Sequence, residues 1–324
     1  MMQRSSEWQP SATLDVLTAR AALFASIRSF FADRKVLEVD TPLLGHFGVT
    51  DPHLSNLRTH LQGQSQSLAL QTSPEYAMKR LLAAGSGCIY QLGKVFRNDE
   101  LSRRHNPEFT MLEWYRIGFT AAQLIDEVDA LLQATVQAPP LQQITYQQLF
   151  IDVLNVDPLA EDAICALQQA LGDSPELADW ARQEDDLDTL LDGAMALVIE
   201  PQLERSVPIA VTHYPASQAA LAQLCPADSR VALRFEVFYQ GMELANGYQE
   251  LTDASEQALR FTQDNQRRQQ LGKPEQQGDP RLLAALQHGL PDCAGVALGV
   301  DRLLMVHLKR EQIAEVLPFA IDRA

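Results

Sequence analysis

The residues best suited to chemistry lie in two stretches that each carry an arginine. The first is Phe96-Arg97-Asn98-Asp99-Glu100, followed after a short gap by His105-Asn106-Pro107-Glu108-Phe109-Thr110-Met111-Leu112-Glu113-Trp114-Tyr115-Arg116. It reads as strand, charged loop, strand. Phe109, Met111, Glu113 and Tyr115 alternate with Thr110, Leu112, Trp114 and Arg116, so Glu113 shares a face with apolar neighbours. A carboxylate there is costly unless a cation meets it. Arg97 closes the preceding strand and points at whatever the loop covers. An arginine fork over a pocket that also holds a carboxylate suits a ligand with both phosphate and ammonium groups.

The second stretch, Gly295-Val296-Ala297-Leu298-Gly299-Val300-Asp301-Arg302-Leu303-Leu304-Met305, is a small-residue strand running into a helix start. Small residues let a flat ligand lie close to the backbone, and Arg302 in the first helical turn can reach a phosphate. Gly-x-x-x-Gly alone is weak evidence; paired with the Arg97 loop it is strong. A third stretch, Phe235-Glu236-Val237-Phe238-Tyr239-Gln240-Gly241-Met242-Glu243, reads as a hairpin turning at Gln240-Gly241. Phe238 then faces Glu243, and Glu236 lies on the same side as a diagonal neighbour. Alone, two such acids read as solvated sheet glutamates. Beside the arginine stretches they read as a site for Mg²⁺ bridging triphosphate oxygens.

The two arginine stretches resemble motifs 2 and 3 of the class II aminoacyl-tRNA synthetases. Residues 21–42, ending Val36-Leu37-Glu38-Val39-Asp40-Thr41-Pro42, resemble motif 1. The resemblance covers nearly the whole chain, and the Pro-Glu-Phe-Thr-Met-x-Glu strand is most similar to the lysyl branch. It implies an α+β catalytic core on a mostly antiparallel sheet flanked by helices, and a homodimer through motif 1. Motif 1 begins near the N-terminus. The expectation is therefore one catalytic domain over residues 1–324, without an anticodon-binding domain, in which 120–230 is a largely helical support region. Ala297 stands where lysyl-tRNA synthetases carry glycine. In these respects the chain resembles the elongation factor P lysine ligases, whose preferred substrate is (R)-β-lysine.

Residue roles follow from the resemblance. Glu250 is expected to meet the substrate's side-chain ammonium, assisted by Tyr115, while Glu75 and Glu113 receive its other amino group. Glu75 has a plainer reading too, as an acid complementing a helix dipole. Ser73, Pro74, Asn246, Tyr248 and Ala297 complete the amino-acid pocket. The catalytic arginines are Arg97, for the substrate carboxylate and α-phosphate, and Arg302, for the γ-phosphate. Asp99 and Asn106 match positions at adenine and its loop, Phe109 stacks on adenine, and His105 is a further candidate for phosphate. Asn98, Glu243, Leu244 and Gly299 fall in the same ATP site. The implied reaction is ATP- and Mg²⁺-dependent activation of (R)-β-lysine as an adenylate, then transfer to a lysine of elongation factor P. The alternatives are a minimal lysyl-tRNA synthetase-like enzyme acting on tRNA, and a catalytically inactive synthetase-like regulator.

Composition narrows the partners. With 26 basic and 42 acidic residues the net charge is −16, a poor balance for general tRNA binding. The basic pairs Arg34-Lys35, Lys79-Arg80, Arg103-Arg104, Arg267-Arg268 and Lys309-Arg310 are scattered and read as solvated. Cys88, Cys165, Cys225 and Cys293 form no Cys-x-x-Cys, which suggests neither zinc nor a disulfide scaffold and fits a cytoplasmic protein. No apolar run approaches the roughly 18 residues of a membrane span, and the N-terminus has no apolar signal core.

The elements that position these residues can be placed. Thr13 caps a helix carrying Leu14, Leu17, Ala21, Phe24, Ile27 and Phe30. Lys35 replaces the glycine usual in motif 1 and alters a turn. Ser73-Pro74-Glu75 opens a helix with serine as cap, and Gly85 stops it. Residues 120–205 read as helices capped by Thr120 and Thr145, with few convergent polar groups. Asp253 caps a polar helix reaching about Leu271.

Overall fold

The computed structural model describes residues 8–98 and 101–324. In chain order the elements are α1 (Leu14–Asp33), β1 (Leu37–Glu38), β2 (Leu44–Gly45), β3 (Arg58–His60), β4 (Ser67–Leu70), α2 (Glu75–Ala83), β5 (Ile89–Phe96), β6 (Glu108–Ile117), α3 (Ala121–Val136), β7 (Gln142–Thr145) and α4 (Tyr146–Leu154). They continue with α5 (Ala163–Gly172), α6 (Ala178–Ala181), α7 (Leu187–Ala194), β8 (Ile209–Thr212), β9 (Leu224–Cys225), β10 (Asp228–Ala232), β11 (Arg234–Tyr239), β12 (Met242–Gln249), α8 (Ala254–Gln270), α9 (Pro280–Gly289), β13 (Cys293–Gly299) and α10 (Val300–Leu308). Eight strands form one sheet in the order β1-β5-β6-β13-β12-β11-β8-β7. Its pairs are antiparallel except at the two edges, β1 with β5 and β7 with β8. No helix of the described residues is long and apolar enough to cross a membrane.

Strand alternation divides the sheet into a dry face and a cavity face. Leu112, Trp114, Phe235, Val237, Val296 and Leu298 point to the dry side and pack with buried residues of α1, α3 and α10. A second apolar cluster joins Tyr146, Phe150, Leu167, Leu190 and Leu191 of the helical region to Val211 and Phe238. A third packs α2 and α9 around Ile89, Tyr115 and Cys293.

The hairpin of β11 and β12 pairs Phe238 with Glu243, but the register then shifts by one residue, so Glu236 opposes Asn246 and Arg234 opposes Tyr248. A regular ladder would have set Glu236 against Ala245 and turned Asn246 and Tyr248 to the dry side. The extra residue reverses the parity of every residue beyond it.

Helix α1 is rotated from the expected apolar stripe. It buries Val16, Arg20, Leu23, Ile27, Phe30 and Phe31, while Leu14 is 77% exposed. The cause is Arg20, which turns inward to Asp301 (2.5 Å) and donates to Thr110 Oγ1 (2.6 Å). Asp301 also accepts the Thr110 N–H at 2.7 Å, which ties α1, β6 and the start of α10 together. Thr13 stands at the N-cap of α1 but its side chain makes no cap bond. Thr120, Thr145 and Asp253 do cap their helices. Helix α2 begins at Glu75, with Ser73 Oγ accepting the Glu75 N–H at 3.0 Å.

Lys35 has φ +56°, a left-handed conformation. A side chain there costs about 1–2 kcal/mol relative to glycine, offset in part by the entropy glycine adds to the unfolded chain. Lys35→Gly is expected to stabilise the protein by up to about 1 kcal/mol, raising the melting temperature by about 1–3 °C. A lower melting temperature in calorimetry would contradict this reading of the turn.

Candidate active site

The cavity face carries its side chains in transverse rows. One row runs Gln91, Glu113, Ala297, Asn246, Glu236 across β5, β6, β13, β12 and β11. The next runs Ile89, Tyr115, Gly295, Tyr248, Arg234. Above them lies a cavity of about 1210 Å³, large enough for a nucleotide and a small amino acid together. Ser73, Glu75, Arg97, His105, Asn106, Phe109, Glu113, Tyr115, Glu236, Glu243, Leu244, Asn246, Tyr248, Glu250, Ala297, Gly299 and Arg302 all line it. Pro74 and Asn98 do not: Pro74 occupies the N-cap position of α2, and Asn98 is exposed with its N–H bonded to Ser55 O. Asp99 lies outside the described residues.

One end of the cavity is acidic. Glu113 accepts hydrogen bonds from Ser73 Oγ (2.6 Å) and Tyr115 Oη (2.7 Å). Glu75 Oε1 accepts from Tyr248 Oη (2.7 Å) and from Lys79 Nζ (2.8 Å). Lys79 Nζ also lies 2.6 Å from Glu250 Oε2. Glu250 is 1% exposed, and its Oε1 meets no hydrogen-bond donor among the described residues. Burial pushes the Glu250 carboxyl up to about 8; Lys79 opposes the rise and Glu75 adds to it. Burial and the neighbouring Glu75 push Glu113 up to about 7, against the bonds from Ser73 and Tyr115. Gly295 is required beside these acids, because a Cβ there would collide with Glu250 Oε1 and the Tyr115 ring. Ala297 sits between Asn246 and Glu113, so its methyl narrows the floor of this end.

The other end carries the arginines. The Arg97 guanidinium lies 5.3 Å from the Phe109 ring centroid. Arg302 donates to Glu243 O at 2.8 Å, lies 3.4 Å from Glu243 Oε2, and contacts His105 Nε2 at 2.7 Å. Asn106 is committed to the fold: its Nδ2 donates to Glu108 O (2.6 Å) and its Oδ1 accepts the Ile321 N–H (3.1 Å). Between the ends, Glu236 accepts from Tyr214 Oη (2.7 Å) and Arg234 (2.6 Å). Burial pushes Glu236 up to about 7; Arg234 pulls it back and Glu243 adds to the rise. Glu236 and Glu243, each already beside an arginine, offer carboxylate oxygens of the hard kind Mg²⁺ takes beside phosphates and water. The described residues assemble no group of three such ligands.

Three readings of the sequence need correction. Arg268, read as half of a solvated pair, is buried and donates to Pro274 O, Asp51 O and Leu54 O. Lys79 is no solvated charge: it is 1% exposed, with burial, which works against its charge, outweighed by Glu250 and Glu75, so its pKa is raised. Its position gave a signal, since it lies four residues after Glu75 and three before buried Leu82, on the inner face of α2. The helical region also reaches the cavity. Asp186, Asp188, Asp192 and Glu200 line it, and Glu200 pairs with Arg104 at 3.4 Å.

Comparison with known proteins agrees with this geometry. The family model of class II tRNA synthetases (D, K and N) matches residues 2–323. The chain belongs to that family. It is 52% identical, over 100% of both chains, to the elongation factor P–(R)-β-lysine ligase of Edwardsiella ictaluri. It is 51% identical over 100% of both chains to the ligase of that name from Pasteurella multocida, and 52% identical over 99% of both to that of Vibrio cholerae. The large, mostly antiparallel sheet flanked by helices is the synthetase-like core expected of the α+β reading.

The raised carboxyls have a consequence for stability. An unfolded glutamate titrates near 4.3, so the folded state binds more protons wherever its pKa is higher. The stability this gives is complete at low pH and is lost as pH rises toward about 8. The melting temperature of the ligand-free protein is expected to fall between pH 5.5 and 8, and Glu250→Gln should reduce that fall. Equal pH slopes in the two proteins would contradict the assignment.

Proposed function

We propose that this protein activates (R)-β-lysine with ATP and transfers it to a lysine side chain of elongation factor P. The observation that carries the reading is the charge at the acidic end. When Glu75, Glu113 and Glu250 are all ionised, Lys79, which pairs with Glu75 and Glu250, is the one ammonium bonded to them among the described residues, leaving a deficit of two positive charges. A diamino acid supplies two ammonium groups. Its carboxylate would extend from this end toward Arg97. The names of the full-length relatives support both the amino acid and the acceptor.

The reaction follows from what each end offers. The substrate carboxylate attacks the α-phosphate of ATP in line, and pyrophosphate leaves. Arg97 and Arg302 stabilise charge on the phosphoryl oxygens, and the remainder is positioning. Glu236 and Glu243 would hold Mg²⁺, which when bound neutralises triphosphate oxygens. Phe109, Leu244 and Gly299 line the space for the nucleotide. The acceptor ε-amine, with an ordinary pKa of about 10.4, loses a proton and attacks the adenylate carbonyl. An amide forms and AMP leaves. Ala297 favours the β-isomer over α-lysine by reshaping the floor between Glu113 and Asn246.

The same reading includes the assembly and its setting. Leu14 before motif 1, Leu37 within it, and Leu43 and Leu44 just after it are exposed, apolar surface of the kind a second copy covers. The catalytic domain is a single unit of residues 1–324 acting as a homodimer. All four cysteines are free thiols, which fits a reducing cytoplasm.

The test is intact-mass analysis of elongation factor P and of tRNA after incubation with the protein, ATP, Mg²⁺ and either (R)-β-lysine or α-lysine. The expected result is a mass gain on elongation factor P, greater with the β-isomer, and uncharged tRNA. Charged tRNA with an unmodified factor would establish the synthetase reading instead.

A further inference from the structure

Lys79 is buried against two acids of the pocket yet does not itself line the cavity. Its ammonium lies 2.8 Å from Glu75 Oε1 and 2.6 Å from Glu250 Oε2, and 5.6 Å from the Tyr248 ring centroid. Glu75 and Glu250 come from elements far apart in sequence, and Tyr248, two residues before Glu250, donates to Glu75 across a separation of 173 residues. Lys79 is thus the cation that fastens the start of α2 to the end of β12 from behind the cavity wall. A buried ion triad of this kind contributes little to stability in itself, but removing one member leaves uncompensated charge. The second oxygen of Glu250 is buried, aimed at the cavity beside Gly295, and without a donor among the described residues.

We infer that Lys79 is a positioning residue, a built-in counter-ion that fixes the charge demand of the pocket at two ammonium groups and holds Glu75 and Glu250 in register to receive them. Three carboxylates without Lys79 would demand three positive charges, or would retain a proton that the incoming ammonium must displace. With Lys79 in place, a diamino acid balances the site. The inference rests on the diamino-acid reading above and assigns the selectivity to a residue that substrate does not touch.

The titrating groups around Lys79 are few. Glu75 faces it from α2, Glu113 from β6, Tyr248 and Glu250 from β12 and its end, and Cys293 from β13. Burial raises Tyr115, Tyr248 and Cys293 well above neutrality, so the carboxyls govern the pH response between about 6 and 9.

The experiment is ATP–pyrophosphate exchange with (R)-β-lysine from pH 6 to 9, on the wild type, Lys79→Met, and the double variant Lys79→Met/Glu75→Gln. In Lys79→Met, KM for the amino acid should rise about 100-fold while KM for ATP stays within about threefold. The pH at which kcat/KM is half-maximal should move up by more than about one unit. The double variant removes one negative charge together with the lysine, so its pH midpoint should return toward that of the wild type. A single variant with wild-type KM and pH midpoint, or a double variant with no return, would overturn the inference. If Lys79→Met does not fold, the double variant alone decides: a wild-type midpoint supports the counter-ion, and failure of both variants to fold overturns it in favour of a purely structural lysine. A wild type that exchanges pyrophosphate with no diamino acid would instead overturn the reading beneath it.

Discussion

A carboxylate that is 1% exposed does not remain ionised beside two others unless positive charge comes from elsewhere. Glu250 is in that position, with Glu75 and Glu113 close by and Lys79 as the internal cation. The pocket is therefore held in a state that its own residues do not satisfy. Burial sets the desolvation cost, and only a ligand bearing ammonium groups removes it. On the proposed reading, selectivity for a diamino acid follows from charge balance, with shape acting second through Ala297 and Gly295.

The sheet makes this arrangement possible. Five central strands bring residues distant in sequence into two adjacent rows, so Glu113, Ala297, Asn246 and Glu236 stand side by side. The dry face supplies the apolar packing that holds those rows fixed. The one-residue shift between β11 and β12 matters as much as any side chain, because it turns Asn246 and Tyr248 toward the cavity while leaving Glu243 next to Phe238. The Arg20–Asp301 pair anchors the first turn of α10, which carries Arg302 at the opposite end. The two ends of one substrate complex are thus set by one rigid sheet and two short helix starts.

Much of this could be read from local pattern. Alternation alone placed Phe109, Met111, Glu113 and Tyr115 on one face, and they line the cavity together. The hairpin at Gln240-Gly241 set Phe238 opposite Glu243, because a two-residue turn fixes the first pairs. The register shift beyond it leaves no mark in residue type, so the facing of Asn246 and Tyr248 came only from resemblance. The basic dipeptide Lys79-Arg80 hides the role of Lys79, because consecutive helical residues face different ways: Arg80 is exposed and Lys79 is buried. Asp188 and Asp192 carry no local signal for another reason. Their helix packs against the sheet through contacts remote in sequence, and no local periodicity reports which of its edges overlooks the cavity.

The most direct measurement is isothermal titration calorimetry of (R)-β-lysine binding at pH 7 in buffers of different ionisation enthalpy, beside an analogue of the same length lacking one amino group. Raised carboxyls at Glu113 and Glu250 must lose their protons to receive ammonium groups. The account predicts release of about one to two protons on binding the diamino acid, and binding of the mono-amino analogue at least about 100-fold weaker. Equal affinity for the two, with no proton release, would contradict it.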